Sequence, residues 1–222
     1  MGKTDAQTTN ACPRDSRAQP GIDAPDLKPA IGCLPKDLAR GATLSEDRVY
    51  RYQLVRSTGY PNQALVNFVG LNPSTSDETS DDPTVRRLIG FARRQAFGFL
   101  ILTNLFAFRV TDPRALKFAA DPIGTENLTY LTAAARSSQC IVPCWGAHGA
   151  LRSRGREVLE LLRRLGDIRV FGLTIGGEPV HPLYLAHDNE LMPLERTPVA
   201  VAAIVMGERA ASVQPSSFRE ED

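Results

Sequence analysis

The chain has 222 residues, 42% of them hydrophobic, and a formal net charge of +1 at pH 7. That is enough apolar material for one domain with a proper core, and it excludes a chain too polar to fold. No run approaches the roughly twenty apolar residues that a membrane-spanning helix requires, so a soluble, cytoplasmic protein is expected.

Met1 to Arg40 is rich in Pro, Asp, Ala and Thr and has no apolar period. It reads as a disordered or loosely attached arm, assigned here to residues 1–44. It also lacks the apolar h-region of a secretory signal. An α/β domain is expected over residues 45–206, followed by a polar tail at 207–222.

The first strong element is Val66-Asn67-Phe68-Val69, which stops at Gly70-Leu71-Asn72-Pro73-Ser74. An apolar strand ending in Gly and Pro puts Asn72 at the carboxyl edge of a sheet, where open α/β folds build sites. Asn72 either serves such a site or merely closes the turn on nearby backbone. An acidic loop follows, with Asp77, Glu78, Asp81 and Asp82. Asp82-Pro83 then opens a helix, Asp as N-cap and Pro at the first helical position. Val85, Leu88, Ile89, Ala92 and Ala96 form its apolar stripe.

Phe99-Leu100-Ile101-Leu102-Thr103-Asn104 is a second apolar strand, again ending in asparagine. A helix is expected over Thr125 to Arg136, burying Leu128, Leu131 and Ala135. The third strand, 139–145, leads into Trp145-Gly146-Ala147-His148. The next helix carries Val158, Leu161, Leu162 and Leu165 and is closed by Gly166. The fourth strand, 168–173, leads through a glycine-bearing loop to His181-Pro182-Leu183. Residues 198–206 suit an edge strand or a short helix. Short apolar runs alternating with helices predict a three-layer α/β/α domain around a mostly parallel four-stranded sheet.

Cys140 and Cys144 suit a buried strand, and Cys12 and Cys33 lie in the arm; none forms a C-x-x-C pair. No metal site or cofactor is therefore expected. Arg152, Arg154 and Arg156 precede a helix and could contact phosphates. The acidic loop beside Asn72 would repel a duplex backbone unless a metal or arginines neutralised it.

The segments FVGLNPSTSDETSDDPTVRRLIGFAR, LTNLFAFRVTDPRAL, DPIGTEN, WGAHG and GLT…HPLYL resemble a bacterial and phage family, domain of unknown function 1643. The resemblance covers roughly residues 48 to 186 and names no activity. More distantly, Gly70-Leu71-Asn72-Pro73, Leu102-Thr103-Asn104, Trp145-Gly146 and His181-Pro182 are similar, in order, to motifs of the uracil-DNA glycosylase superfamily. That likeness implies a uracil-DNA-glycosylase-like fold. It also implies catalytic roles for Asn72, holding the attacking water or contacting the base, and for His181, donating to the departing base. Asn104 would read a pyrimidine-like edge, and Phe91, Phe97 or Phe106 would stack on the base. Gly70, Leu71, Pro73, Ser74, Asn104, Phe106 and Trp145 are thus the expected substrate contacts. The chain departs from the glycosylase pattern at position 72, which is not aspartate, and after His181-Pro182, which continues Leu-Tyr-Leu.

Three functions compete. One is N-glycosidic hydrolysis of a nucleobase in nucleic acid or nucleotide, without a lyase step because Lys117 is the only lysine after position 36. A second is a non-catalytic nucleobase- or nucleotide-binding module. The third is metal-dependent hydrolysis on the acidic loop, whose carboxylates otherwise serve the helix N-terminus. The expected partner is a nucleobase-containing ligand, with single-stranded or modified DNA among the candidates.

Overall fold

The computed structural model describes residues 39–196. Its elements are β1 (Arg40–Leu44), β2 (Arg51–Ser57), β3 (Leu65–Gly70), α1 (Pro83–Arg94), β4 (Phe99–Asn104), α2 (Asn127–Ser137), β5 (Cys140–Pro143), α3 (Arg154–Leu162), β6 (Arg169–Val170) and β7 (Met192–Pro193). Among the described residues no helix is long and apolar enough to cross a membrane.

The expectation of a mostly parallel four-stranded sheet needs correcting. The sheet has five strands in the order β1-β2-β4-β3-β5 and is mixed. β3 runs parallel to both β4 and β5, whereas β2 runs antiparallel to β4 and β1 antiparallel to β2. β1 and β2 went unpredicted because β2 carries Arg51, Gln53 and Arg56, all buried, which interrupt an apolar run. β1 also occupies residues 40–44, which sequence reading assigns to the arm. The fourth expected strand shrinks to Arg169–Val170. It meets the main sheet through one parallel bridge, Ile141 to Ile168, and pairs antiparallel with β7. Cys12, Cys33 and residues 198–206 lie outside the described residues.

α1 covers one face of the sheet. Its side chains Val85, Leu88, Phe91 and Ala92 pack on Leu54, Val66, Phe68, Leu102, Cys140 and Val142. The Asp82 cap is as read from the sequence: its Oδ1 accepts from the Val85 N–H at 2.9 Å. α2 and α3 cover the other face, with Leu131, Ala135, Val158 and Leu162 against Val69, Ile141 and Phe106. Leu128, expected inside, is 48% exposed. The helix starts two residues later than expected, and Asn127 takes the inward position instead. Cys140 and Cys144 both sit in the core under α1.

β2 contains a bulge that matters for the site. Its register against β1 steps by one residue from Thr43 to Leu44 but by two from Gln53 to Arg51. An extra residue of this kind re-aims the side chains beyond it. Tyr52 accordingly stacks on Tyr130 of α2, while Arg51 shares the α1 side with Leu54.

Candidate functional site

The carboxyl ends of β3, β4 and β5 open into a cavity of about 480 Å3. That volume falls in the range of about 300–1,000 Å3 typical of small-molecule sites. Its wall includes Gly70 ending β3, Leu71, Asn72 and Ser74 beyond it, Asn104 ending β4, and Trp145 and Gly146 after β5. His181, from the loop after β6, closes the same cavity. Seven of the nine residues singled out from the sequence therefore share one wall. The other two do not line it. Phe106 is fully buried in the core beneath α2 and α3. Pro73 turns inward and offers its carbonyl to Val110 N–H at 3.0 Å. Phe91 and Phe97, the alternatives for stacking, also lie in the core under α1.

Asn72 is held by its amide nitrogen. Nδ2 donates to the carbonyls of Pro73 at 2.9 Å and Val110 at 2.6 Å. The turn-closing role and the site role thus fall to different ends of one side chain, leaving Oδ1 for a ligand or water. The same pair of carbonyls gives a reason for asparagine rather than aspartate here, since a carboxylate would face two acceptors.

Asn104 lies across Gly70. A Cβ on Gly70 would come within 2.8 Å of an Asn104 amide atom, so a side chain at position 70 would displace that amide. With its oxygen toward Arg51, the amide is satisfied on both sides: Oδ1 accepts from Arg51 Nη2 and Nδ2 donates to the Thr103 carbonyl, each at 3.3 Å. Behind it, Asn127 Nδ2 donates to the carbonyls of Asn104 and Leu105 at 3.2 and 3.0 Å. The asparagine that ends the DPIGTEN segment thus braces the strand end.

Trp145 is buried and pinned, with Nε1 donating to Glu178 Oε2 at 2.6 Å. Gly149 and Gly155 leave space for its indole; a Cβ on Gly149 would overlap the ring at 2.0 Å. Gly146, at φ +72°, sits where a Cβ would press on His181 Cβ at 3.2 Å. The Trp-Gly pair therefore shapes the seat of the histidine.

His181 is half-buried and caps the short turn Pro182–Tyr184, its Nδ1 accepting from Leu183 N–H at 3.3 Å. With Nδ1 as acceptor, the neutral ring carries its proton on Nε2. Burial lowers its pKa from the ordinary 6.5, and Asp82 opposes that across space. At neutral pH His181 is an uncharged donor. Cys144, also in the wall, has its thiol pushed far up by burial, which makes it a poor nucleophile.

Arg51 escaped sequence reading. It lines the cavity yet is only 1% exposed. Its Nη1 donates to the Ser76 carbonyl at 3.0 Å, and its Nε–H has no partner. Burial brings its pKa down to about 10, with Asp82 opposing across space, so it stays charged at neutral pH. An arginine opening a strand-like segment was the only signal, and the bulge that turns it inward has no signature in the sequence.

The acidic loop is neutralised by arginines. Asp81 pairs with Arg56 at 2.7 Å and Arg40 at 3.4 Å, and Glu78 pairs with Arg48 at 2.8 Å. Asp77 Oδ1 accepts from the Thr79 and Ser80 backbone and hydroxyls, which hold its pKa well below the usual range. Three of the four carboxylates thus build the loop, and Asp82 caps α1. Of the 152–156 cluster, Arg152 and Arg154 donate to the carbonyls of Ala119 and Leu105.

The molecule is a mixed α/β protein with a cavity at the carboxyl edge of its parallel strands. A family model described as Protein of unknown function (DUF1643) matches residues 51–183, more than half of the chain, and the chain belongs to that family. No curated protein and no solved structure matches it.

Proposed function

We propose that the cavity binds a nucleobase-containing ligand and hydrolyses its N-glycosidic bond. The observation that carries this reading is that Asn72, Asn104 and His181, far apart in sequence, line one cavity. The likeness to uracil-DNA glycosylases names the same three positions. The strand order supports it too: β4, β3 and β5 run parallel, with Ile168 bridged beyond β5. In this scheme Asn72 Oδ1 holds a water that adds to the sugar carbon as its bond to the base nitrogen breaks, the water's proton passing to solvent and the released base taking one up from solvent. The electron pair leaves with the base, and His181 Nε2–H stabilises the charge that develops there. Asn104, fixed by Arg51 and Thr103, sets which edge of the base is accepted.

A binding module without turnover is the second reading. It is favoured by Asn72, whose amide nitrogen is committed to backbone and whose remaining oxygen is not a base. One assay separates the two. The full chain is incubated with uracil-containing and modified single- and double-stranded DNA and with a nucleotide panel, and free base is measured. Released base that disappears in His181→Ala supports hydrolysis. Binding without release supports the module, and neither binding nor release overturns both.

A further inference from the structure

The cavity wall holds a buried cation that the protein does not neutralise by contact. Arg51 is 1% exposed and forms no ion pair among the described residues. Its Nε–H finds no acceptor. Its two other contacts, the Ser76 carbonyl and the Asn104 amide, are neutral. A buried charge met only by neutral groups is expensive, and a guanidinium is built for oxyanions. The N-terminus of α1 lies in the same wall through Pro83 and Thr84. Asp82 Oδ1 takes the Val85 N–H and Pro83 has none, which leaves the Thr84 N–H without a protein partner among the described residues.

We infer that this wall is an anion subsite, in which Arg51 and the Thr84 N–H at the start of α1 receive a phosphate group of the ligand. The assignment rests on the nucleobase reading in one respect: the phosphate is that of a nucleotide. Helix N-termini and arginines are the two commonest protein partners of phosphate, and here they converge. Asp82 shares the wall and offsets part of the charge on Arg51 across space. The Asp82 oxygen that is placed by a hydrogen bond faces the helix N–H, not the guanidinium. A phosphate here gives Arg51 the contacting anion that Asp82 does not supply and offers an acceptor to its unmet Nε–H.

The test uses the full chain and compares nucleosides, their 5′- and 3′-monophosphates and inorganic phosphate, by calorimetric titration at constant ionic strength. At least one monophosphate is expected to bind about tenfold or more tightly than its nucleoside, the worth of a charge-assisted hydrogen bond. That gap should close in Arg51→Gln and persist in part in Arg51→Lys. Nucleoside and monophosphate binding alike to the wild type would overturn the subsite and leave the nucleobase reading standing. A gap that survives in Arg51→Gln would also overturn it. Inorganic phosphate binding to the wild type but not to Arg51→Gln, with no nucleoside or nucleotide bound, would keep the subsite and remove the nucleobase reading. Should Arg51→Gln fail to fold, the wild-type comparison and Arg51→Lys decide. A wild type that binds neither phosphate nor any monophosphate refutes the inference.

Discussion

Arg51 and Arg56 stand on one strand, each 1% exposed, and they are buried for opposite reasons. Arg56 is saturated: Asp81 takes Nε at 2.7 Å, and the carbonyls of Gly41, Val55, Asp77 and Ser80 take the rest. It clamps the acidic loop onto the sheet. Arg51 reaches the neighbouring Ser76 carbonyl and the Asn104 amide, but keeps one N–H unmet in a cavity wall. A buried charge with every donor used is architecture. A buried charge left short of partners, beside an opening, is the observation on which the proposed anion subsite stands.

The sharpest way to break this comparison is by stability. Arg56→Met should cost about 3–5 kcal/mol in urea denaturation, because it takes from Asp81 its closer and buried partner, leaving only Arg40 at 3.4 Å, and frees four carbonyls. Arg51→Met should cost under about 1 kcal/mol, since replacing an under-partnered buried charge by an apolar side chain is often neutral. Equal losses in the two variants would make Arg51 a second clamp and no more.

Next in size is His181→Ala. It should lower base release by about 10²–10³, equivalent to about 3–4 kcal/mol, while the melting temperature barely moves. The pH dependence follows from the lowered pKa. Above the ordinary 6.5, His181 is neutral folded or unfolded and its effect on stability is flat. As pH falls, the unfolded chain takes up the proton first, so stability declines through that window and levels off below the folded pKa. His181→Ala should abolish that component of an acid denaturation profile. A profile identical to wild type would mean the ring is not held neutral by burial.

How much of this could be read from residues alone depended on where each element spends its charges. β3, β4 and α1 were legible because apolar runs and the Asp82-Pro83 start obey local rules. Asn72 and Asn104 were legible as cavity residues because each ends or follows one of those runs, and His181 because a His-Pro turn follows the last strand of the sequence reading. Phe106 misled because an aromatic after a strand end looks the same whether it faces the cavity or the core beneath α2 and α3. β2 was hidden since its arginines look solvent-facing until Asp81 and the cavity are folded against them. The bulge that decides the direction of Arg51 is a pairing property, absent from any single strand.

Asn72→Asp comes third and probes the cavity side of the comparison. The substitution sets a carboxylate against the Pro73 and Val110 carbonyls, now 2.9 and 2.6 Å from a donor. A loss of about 1–3 kcal/mol is expected from those unmet acceptors, read as a lower denaturation midpoint. If the aspartate variant were as stable as wild type, Nδ2 would not be what fixes the turn, and the oxygen assigned to the ligand would be free to rotate.

The smallest effect belongs to the outer rim of the clamp, where Arg48 reaches Glu78 at 2.8 Å with both side chains well exposed. The pair lowers the Glu78 pKa chiefly by its hydrogen bond, yet water and salt compete for both ends. Exposed pairs of this kind contribute little, and the Debye length of about 10 Å at 0.1 M salt shrinks to about 3 Å at 1 M. Glu78→Gln should therefore give a small drop in melting temperature at low salt that vanishes at 1 M. Arg56, paired with Asp81 out of solvent, should show no such rescue of its variant by salt. A large, salt-independent loss in Glu78→Gln would extend the clamp to the surface. The boundary between architecture and site would then run along the whole loop, and no longer between two arginines of one strand.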